Sequence, residues 1–182
     1  MKKPSVTELV KLLDKPALLK WANKQGLAGI DISKKKQEWL DAGSSMHNQI
    51  EGYLRDGTKF ISQEDQDRFE VFMSGKKLLS FESQIETEWF TGRYDIEIDW
   101  GGRNYIMDFK KDNKGIRSIY FEDKLQLVAY SMARPCDHFA IVSTPSFRVM
   151  NFTIENKEPY IEILKALSII YQQKQLIDAV NF

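Results

Sequence analysis

The pair Gly101-Gly102 constrains this chain more than any other feature. Before it runs Tyr94-Asp-Ile-Glu-Ile-Asp-Trp100, and after it Arg103-Asn-Tyr-Ile-Met-Asp-Phe-Lys-Lys111. Two alternating runs about two glycines predict a β-hairpin with a two-residue turn, because such turns need backbone conformations that glycine adopts without strain. Counting outward from Trp100 opposite Arg103, Asp95 falls opposite Asp108, with the two side chains roughly 5 Å apart on one face. Lys110 shares that face, two residues beyond Asp108. The other face carries Tyr94, Ile96, Ile98, Tyr105, Met107 and Phe109, an apolar set suited to a core.

Two adjacent carboxylates repel each other, and burying them is costly. A divalent cation resolves the conflict. Mg²⁺ takes oxygen ligands in octahedral geometry and keeps several waters. A lysine beside it can orient a water or neutralise charge on a phosphate. Glu97 and Asp99 lie on the same face, so a solvated strand with scattered charges also accommodates the pattern. The surrounding segments decide between the two.

Gly92-Arg-Tyr-Asp95 followed by Met107-Asp-Phe-Lys110 resembles the PD-(D/E)XK nucleases, in which one strand supplies an Asp and the next supplies Asp or Glu, any residue, and Lys. Three more segments are similar to the RecB-like exonuclease branch of that family: Ala42-Gly-Ser-Ser-Met-His47 with Glu51 after it, Phe81-Glu-Ser-Gln-Ile85, and Leu125-Gln-Leu-Val-Ala-Tyr130. The opening Pro4-Ser-Val-Thr7, with Trp21, is similar to small stand-alone members such as phage exonucleases and the mitochondrial genome-maintenance exonuclease. Lys111 stands where the family more often has Thr or Ser, on the face away from the site.

The resemblance implies a restriction-endonuclease-like fold and metal-dependent hydrolysis of DNA, with an exonuclease acting at ends or on single strands. It implies Mg²⁺ as cofactor, with Mn²⁺ substituting. Asp95 and Asp108 would be the central ligands, joined by His47 and the backbone carbonyl of Phe109. Glu82 would add an acidic group, and Lys110 would position the attacking water. Gln126 and Tyr130, four apart on one helix face, would sit beside the lysine. Lys114 and Arg117 follow the Asp108 strand and are assigned to DNA phosphates. The chain lacks GxxxxGK[ST], so unwinding falls to a partner such as a helicase, a recombinase or a single-strand-binding protein. The same core serves a structure-selective or sequence-specific endonuclease. A non-catalytic DNA-binding module is a third reading, against which the intact Asp-Asp-Lys set speaks. The second histidine, His138, enters an apolar run and reads as structural.

At 182 residues the chain suits a single nuclease domain over 1–182, with a helical part over about 1–79. Zero formal net charge argues against a strongly basic DNA-coating protein. No apolar run reaches membrane-spanning length, and no secretory leader precedes the first helix. A single cysteine, Cys136, excludes an internal disulfide and suits a reducing cytoplasm, and the resemblance to phage exonucleases implies that of a bacterial or phage-infected cell.

Periodicity and breakers predict helices over residues 7–22, interrupted by Pro16, over 33–54 and over 63–79 after Ser62 as N-cap. Strands follow over 79–89, 94–100 and 104–110. A helix over 121–132, a hairpin over 138–143 and 148–153, and a helix over 157–180 complete the chain. This order gives an α/β fold, a mixed sheet flanked by helices.

Overall fold

We describe residues 3–13, 16–29, 31–111 and 118–180 of a computed structural model. Its elements in chain order are α1 (Val6–Val10), α2 (Pro16–Leu27), α3 (Ile32–Asp56), α4 (Gln63–Met73), β1 (Lys76–Glu86), β2 (Thr91–Trp100), β3 (Asn104–Lys111), α5 (Phe121–Ser131), β4 (His138–Thr144), β5 (Arg148–Thr153) and α6 (Glu158–Val180).

Local chemistry sets most of these boundaries. Ser5 accepts from the Glu8 N–H while Glu8 reaches back to Ser5, a reciprocal cap that starts α1. Pro16 interrupts the first predicted helix by opening α2, where its missing N–H would have no intrahelical partner anyway. Ser62 caps α4 by accepting from the Asp65 N–H. The α4 helix stops at Met73, six residues before the predicted end at 79. Gly75 takes φ +71, and Lys76 is already paired with Trp100. Strand pairing overrides the helical periodicity there, so β1 begins earlier than predicted. It also ends earlier, at Glu86, because Thr87 to Phe90 close a turn through Thr87 N–H to the Phe90 carbonyl at 2.9 Å.

The hairpin has the predicted register. Gly101 and Gly102 have φ of 63° and 77°, and the Trp100 N–H donates to the Arg103 carbonyl at 2.9 Å. Ile96 faces Met107 and Asp99 faces Asn104. The sheet runs β1-β2-β3-β4-β5. Neighbours are antiparallel except β3 and β4, which run parallel with α5 between them in the chain.

Both sheet faces are covered. On one, Ile96, Ile98, Tyr105, Met107 and Phe109 pack with Phe69 and Phe72 of α4 and Ile50 of α3. On the other, Ile106, Phe139 and Ile141 pack with Leu9 of α1, Leu125 and Val128 of α5, and Leu164 of α6. Tyr94 departs from the predicted alternation and joins this second layer. Its hydroxyl lies 2.8 Å from Ser80 Oγ and donates to Glu97 Oε2 at 3.2 Å, partners that the hydrocarbon layer opposite would not supply. Glu97 is buried rather than solvated, and its Oε2 also accepts from Arg134 Nη2 at 3.0 Å. The His138 ring stacks on Tyr105 with centroids 5.2 Å apart, a packing role. Among the described residues no helix is long and apolar enough to cross a membrane.

Candidate active site

Three carboxylates form a row across three strands. Asp95 follows directly on the Ile96–Met107 pair, so the register places it beside Asp108. Its Oδ2 accepts from the Phe109 N–H at 2.7 Å. In β1 the register shifts between Leu78 and Ser80, so that Phe81 faces Ile96 and Ser83 faces Tyr94. Glu82, between them, is thereby aligned with Asp95. It holds φ +45°, a left-handed conformation that costs a non-glycine residue free energy and that concentrates at functional positions.

Helices on both sides of the sheet complete the cluster. From α3, His47 Nε2 donates to the Phe109 carbonyl at 3.0 Å. That leaves Nδ1 facing Asp95 Oδ1 at 3.8 Å. From α5, Gln126 Nε2 donates to Asp108 Oδ1 at 3.1 Å and to the Tyr130 hydroxyl at 2.7 Å. Lys110 Nζ donates to Gln126 Oε1 at 3.3 Å and lies 2.8 Å from Asp108 Oδ2. Apart from that ion pair, Asp108 Oδ2 has no hydrogen-bond partner among the described residues. Asp123 Oδ1 stands 3.9 Å from the same ammonium, and Arg93 Nε pairs with Glu82 Oε2 at 2.8 Å.

All these groups line one cavity of about 920 Å³, to which α3 contributes from one packed layer and α1 and α5 from the other. It brings together His47, Glu82, Asp95, Asp108, Phe109, Lys110, Gln126 and Tyr130, every residue assigned from the sequence except Lys114 and Arg117, which lie outside the described residues. Asp123 and Arg93 were not singled out beforehand. Their signals were in the spacing: Asp123 is three residues before Gln126 on the helix face, and Arg93 is two before Asp95 on its strand.

The electrostatics are those of a site short of positive charge. Burial, then the neighbouring Asp108 carboxylate, pushes the Asp95 carboxyl well above its ordinary range, although the Phe109 N–H pulls it down. Burial raises Glu82 too, against the opposing pull of Arg93. Burial alone would lower Lys110, but Asp108 with Asp123 and Asp95 more than offsets it, so this lysine stays protonated. Burial and the Asp108 charge hold the Tyr130 hydroxyl far above its usual value, so it remains a donor.

This donor set fits a hard divalent cation. Burial and the Asp108 carboxylate hold the Asp95 carboxyl above its ordinary range, and Asp108 Oδ2 is unsatisfied but for one ion pair. Ligand atoms of His47, Glu82 and Asp95 lie within 4.8 Å of one another.

No protein-family model matches the sequence, and no curated protein matches it. Among solved structures the chain is similar to LHK-Exo, an alkaline exonuclease from Laribacter hongkongensis, in its complex with dAMP: TM-score 0.50 at 12% identity, over 97% of this chain and 89% of that one. It is also similar to a phage-related exonuclease from Haemophilus somnus 129PT, with TM-score 0.49 at 16% identity over 98% and 96% of the two chains. At such identities the first likeness is one of fold. The chain has an α/β, restriction-endonuclease-like core, a mixed five-stranded sheet flanked by helices, in keeping with its sequence resemblance to the RecB-like branch of the PD-(D/E)XK nucleases.

Proposed function

We propose that this chain is a divalent-metal-dependent DNA exonuclease that hydrolyses phosphodiester bonds at DNA ends or on single strands. The row Glu82, Asp95, Asp108 with Lys110 beside it, on the wall of a cavity of about 920 Å³, carries the reading. His47, Asp95, Asp108 and the Phe109 carbonyl would hold Mg²⁺ or Mn²⁺, with Glu82 close by. When bound, the ion supplies Lewis-acid charge stabilisation and acidifies water.

The chain's own residues do the rest. Lys110, protonated and anchored by Asp108 and Gln126, offers its charge to a phosphate in the cavity. It is not a free base, so its part is to orient water and to stabilise developing negative charge. Gln126 fixes the carboxamide bridge between Asp108, Lys110 and Tyr130, holding all three in one arrangement. Residues of α3 from one layer and of α1 and α5 from the other line a slot suited to a single strand. Lys114 and Arg117 follow β3 in the chain and are assigned to DNA phosphates. The fold it shares with LHK-Exo, an exonuclease by name and seen with dAMP, supports the same class of reaction. The whole chain then acts as one nuclease domain, in the cytoplasm, on strands exposed by a partner.

The test compares linear single-stranded DNA with a covalently closed single-stranded circle, in Mg²⁺ and in chelator. Degradation of the linear form alone, abolished by chelator, is expected. Equal rates on both make the chain an endonuclease, and tight binding without cleavage makes it a binding module.

Two substitutions separate the roles. Lys110→Ala keeps Mn²⁺ binding in a calorimetric titration and slows single-turnover hydrolysis by about a hundredfold or more, the scale of one lost charge-stabilising donor. His47→Ala does the reverse, weakening Mn²⁺ affinity by about tenfold or more with turnover largely restored at saturating metal. A metal-dependence curve that overlays wild type would leave His47 a purely packing residue.

A further inference from the structure

The α6 helix has two faces of different fate. Leu164 and Leu167 are buried, Ser168 Oγ donates to the Trp89 carbonyl at 2.7 Å, and the Tyr171 hydroxyl donates to Glu8 at 3.0 Å. These contacts dock the helix on α1, α5 and the turn between β1 and β2. Its opposite side carries Ile169, Ile170, Leu176 and Ile177, exposed by 48%, 55%, 42% and 60%. Isolated exposed apolar residues are ordinary, but a contiguous stripe on one helix face is not.

The stripe has an internal order. Ala166, Ile170, Gln173 and Ile177 are spaced four, three and four residues apart, and all are exposed. That is the spacing of a coiled-coil seam. Ile169 and Ile170 lie four and three residues before Gln173, and Leu176 and Ile177 lie three and four after it. The pattern reads the same in both directions. Within it no position is charged; Lys174 and Asp178 fall to its side.

We propose that this stripe is the interface of a homodimer, with α6 packed antiparallel on α6 of a second copy and the two-fold axis at Gln173. A two-fold interface must be complementary to itself. Antiparallel pairing about Gln173 sets Ile169 opposite Ile177 and Ile170 opposite Leu176 from the second copy. Gln173 then meets its own equivalent, and a carboxamide both donates and accepts, so the pair is self-satisfying and fixes the register, as a buried amide does in coiled coils. Residues 173–179 are all exposed, so the last turns stand clear of the body. Antiparallel packing keeps the two bodies at opposite ends, whereas parallel packing would bring them to the same end. No α6 residue lines the cavity, so the dimer leaves it open on both copies. One helix pair is small for a protein interface, so the dimer is expected to be concentration-dependent.

The test uses the full chain and does not depend on any nuclease activity. Gln173→Cys should form a disulfide-linked dimer under mild oxidation at least tenfold faster than Gln175→Cys, which is exposed on the other side of the helix; the native Cys136 is buried. Sedimentation should show wild type dimerising as concentration rises to about 100 µM, in the range where small interfaces associate, and Ile170→Glu staying monomeric with unchanged helicity. Equal cross-linking of the two cysteine variants, a monomeric wild type at that concentration, or an Ile170→Glu dimer would each overturn the proposal.

Discussion

Asp108→Ala removes hydrolysis, with turnover falling by about a thousandfold or more in a fold that stays intact. The expectation follows from how many site contacts converge on this one carboxylate. Oδ1 takes the Gln126 amide, Oδ2 pairs with Lys110, and the side chain stands next to Asp95. Losing it removes a proposed ligand and unpins both the lysine and the glutamine. Several kcal/mol of transition-state stabilisation from a metal centre, at about 1.4 kcal/mol per tenfold in rate, gives the magnitude. Retention of more than a tenth of wild-type turnover by the folded variant, measured at saturating Mg²⁺, would reject the assignment.

Asp95→Asn raises the melting temperature in metal-free buffer and removes most of the stabilisation that divalent cation gives wild type. Asp95 carries the raised carboxyl of the pair, through burial first and Asp108 second. Its folded-state pKa lies above the unfolded one, so the native state holds a proton that the unfolded state releases. That contribution is fully present below the ordinary carboxylate range and is lost as pH rises through the raised value. Metal-free wild type therefore becomes less stable across that window, and a cation supplies what the proton no longer does. The neutral amide has no charge to bury, so its melting temperature is flatter with pH. In a chain of this length each kcal/mol moves the midpoint by about 2–4 °C, well within reach of a thermal melt at pH 8 with chelator and with Mn²⁺. Identical metal-induced shifts in the two proteins would contradict the role given to Asp95.

From the sequence, replacing Asp108 relieves a repulsion and raises the metal-free melting temperature. The structure points the other way. Asp108 has the Lys110 ammonium at 2.8 Å, so Asp108→Ala deprives a cation of its nearest counter-charge and lowers the metal-free melting temperature.

The hairpin was legible because two glycines leave one turn length, and one turn length leaves one register. The residues that followed from that register, Asp95, Asp108 and Lys110, stand where counting placed them. His47, Gln126 and Tyr130 came from ordered segments of family resemblance; nothing in helical periodicity alone says that α3 and α5 meet at one edge of a sheet. The alignment of Glu82 with Asp95 depends on the register shift between Leu78 and Ser80, and Lys-Lys-Leu-Leu-Ser has no glycine or proline to announce one. Tyr94 broke alternation for a reason visible only in three dimensions, the Ser80 and Glu97 oxygens near its hydroxyl. The short α4 likewise reflects pairing of Lys76 with a strand far along the chain.

The sheet separates two packed layers, and the reactive edge draws on both. His47 sits on the helix whose Ile50 belongs with Phe69 and Phe72, while Gln126 and Tyr130 sit on the helix whose Leu125 and Val128 belong with Leu9 and Leu164. Damage to the site should therefore be separable by layer. A cavity made at Phe72 acts through the imidazole, and one made at Leu125 acts through the carboxamide. Combined, the two losses of activity add as free energies, whereas two cavities in the same layer share neighbours and fall short of additivity. A double-mutant cycle of Phe72→Ala with Leu125→Ala, set beside one of Phe69→Ala with Phe72→Ala, reads that difference directly, and it makes the β-sheet an insulator between two independent supports of one chemical centre.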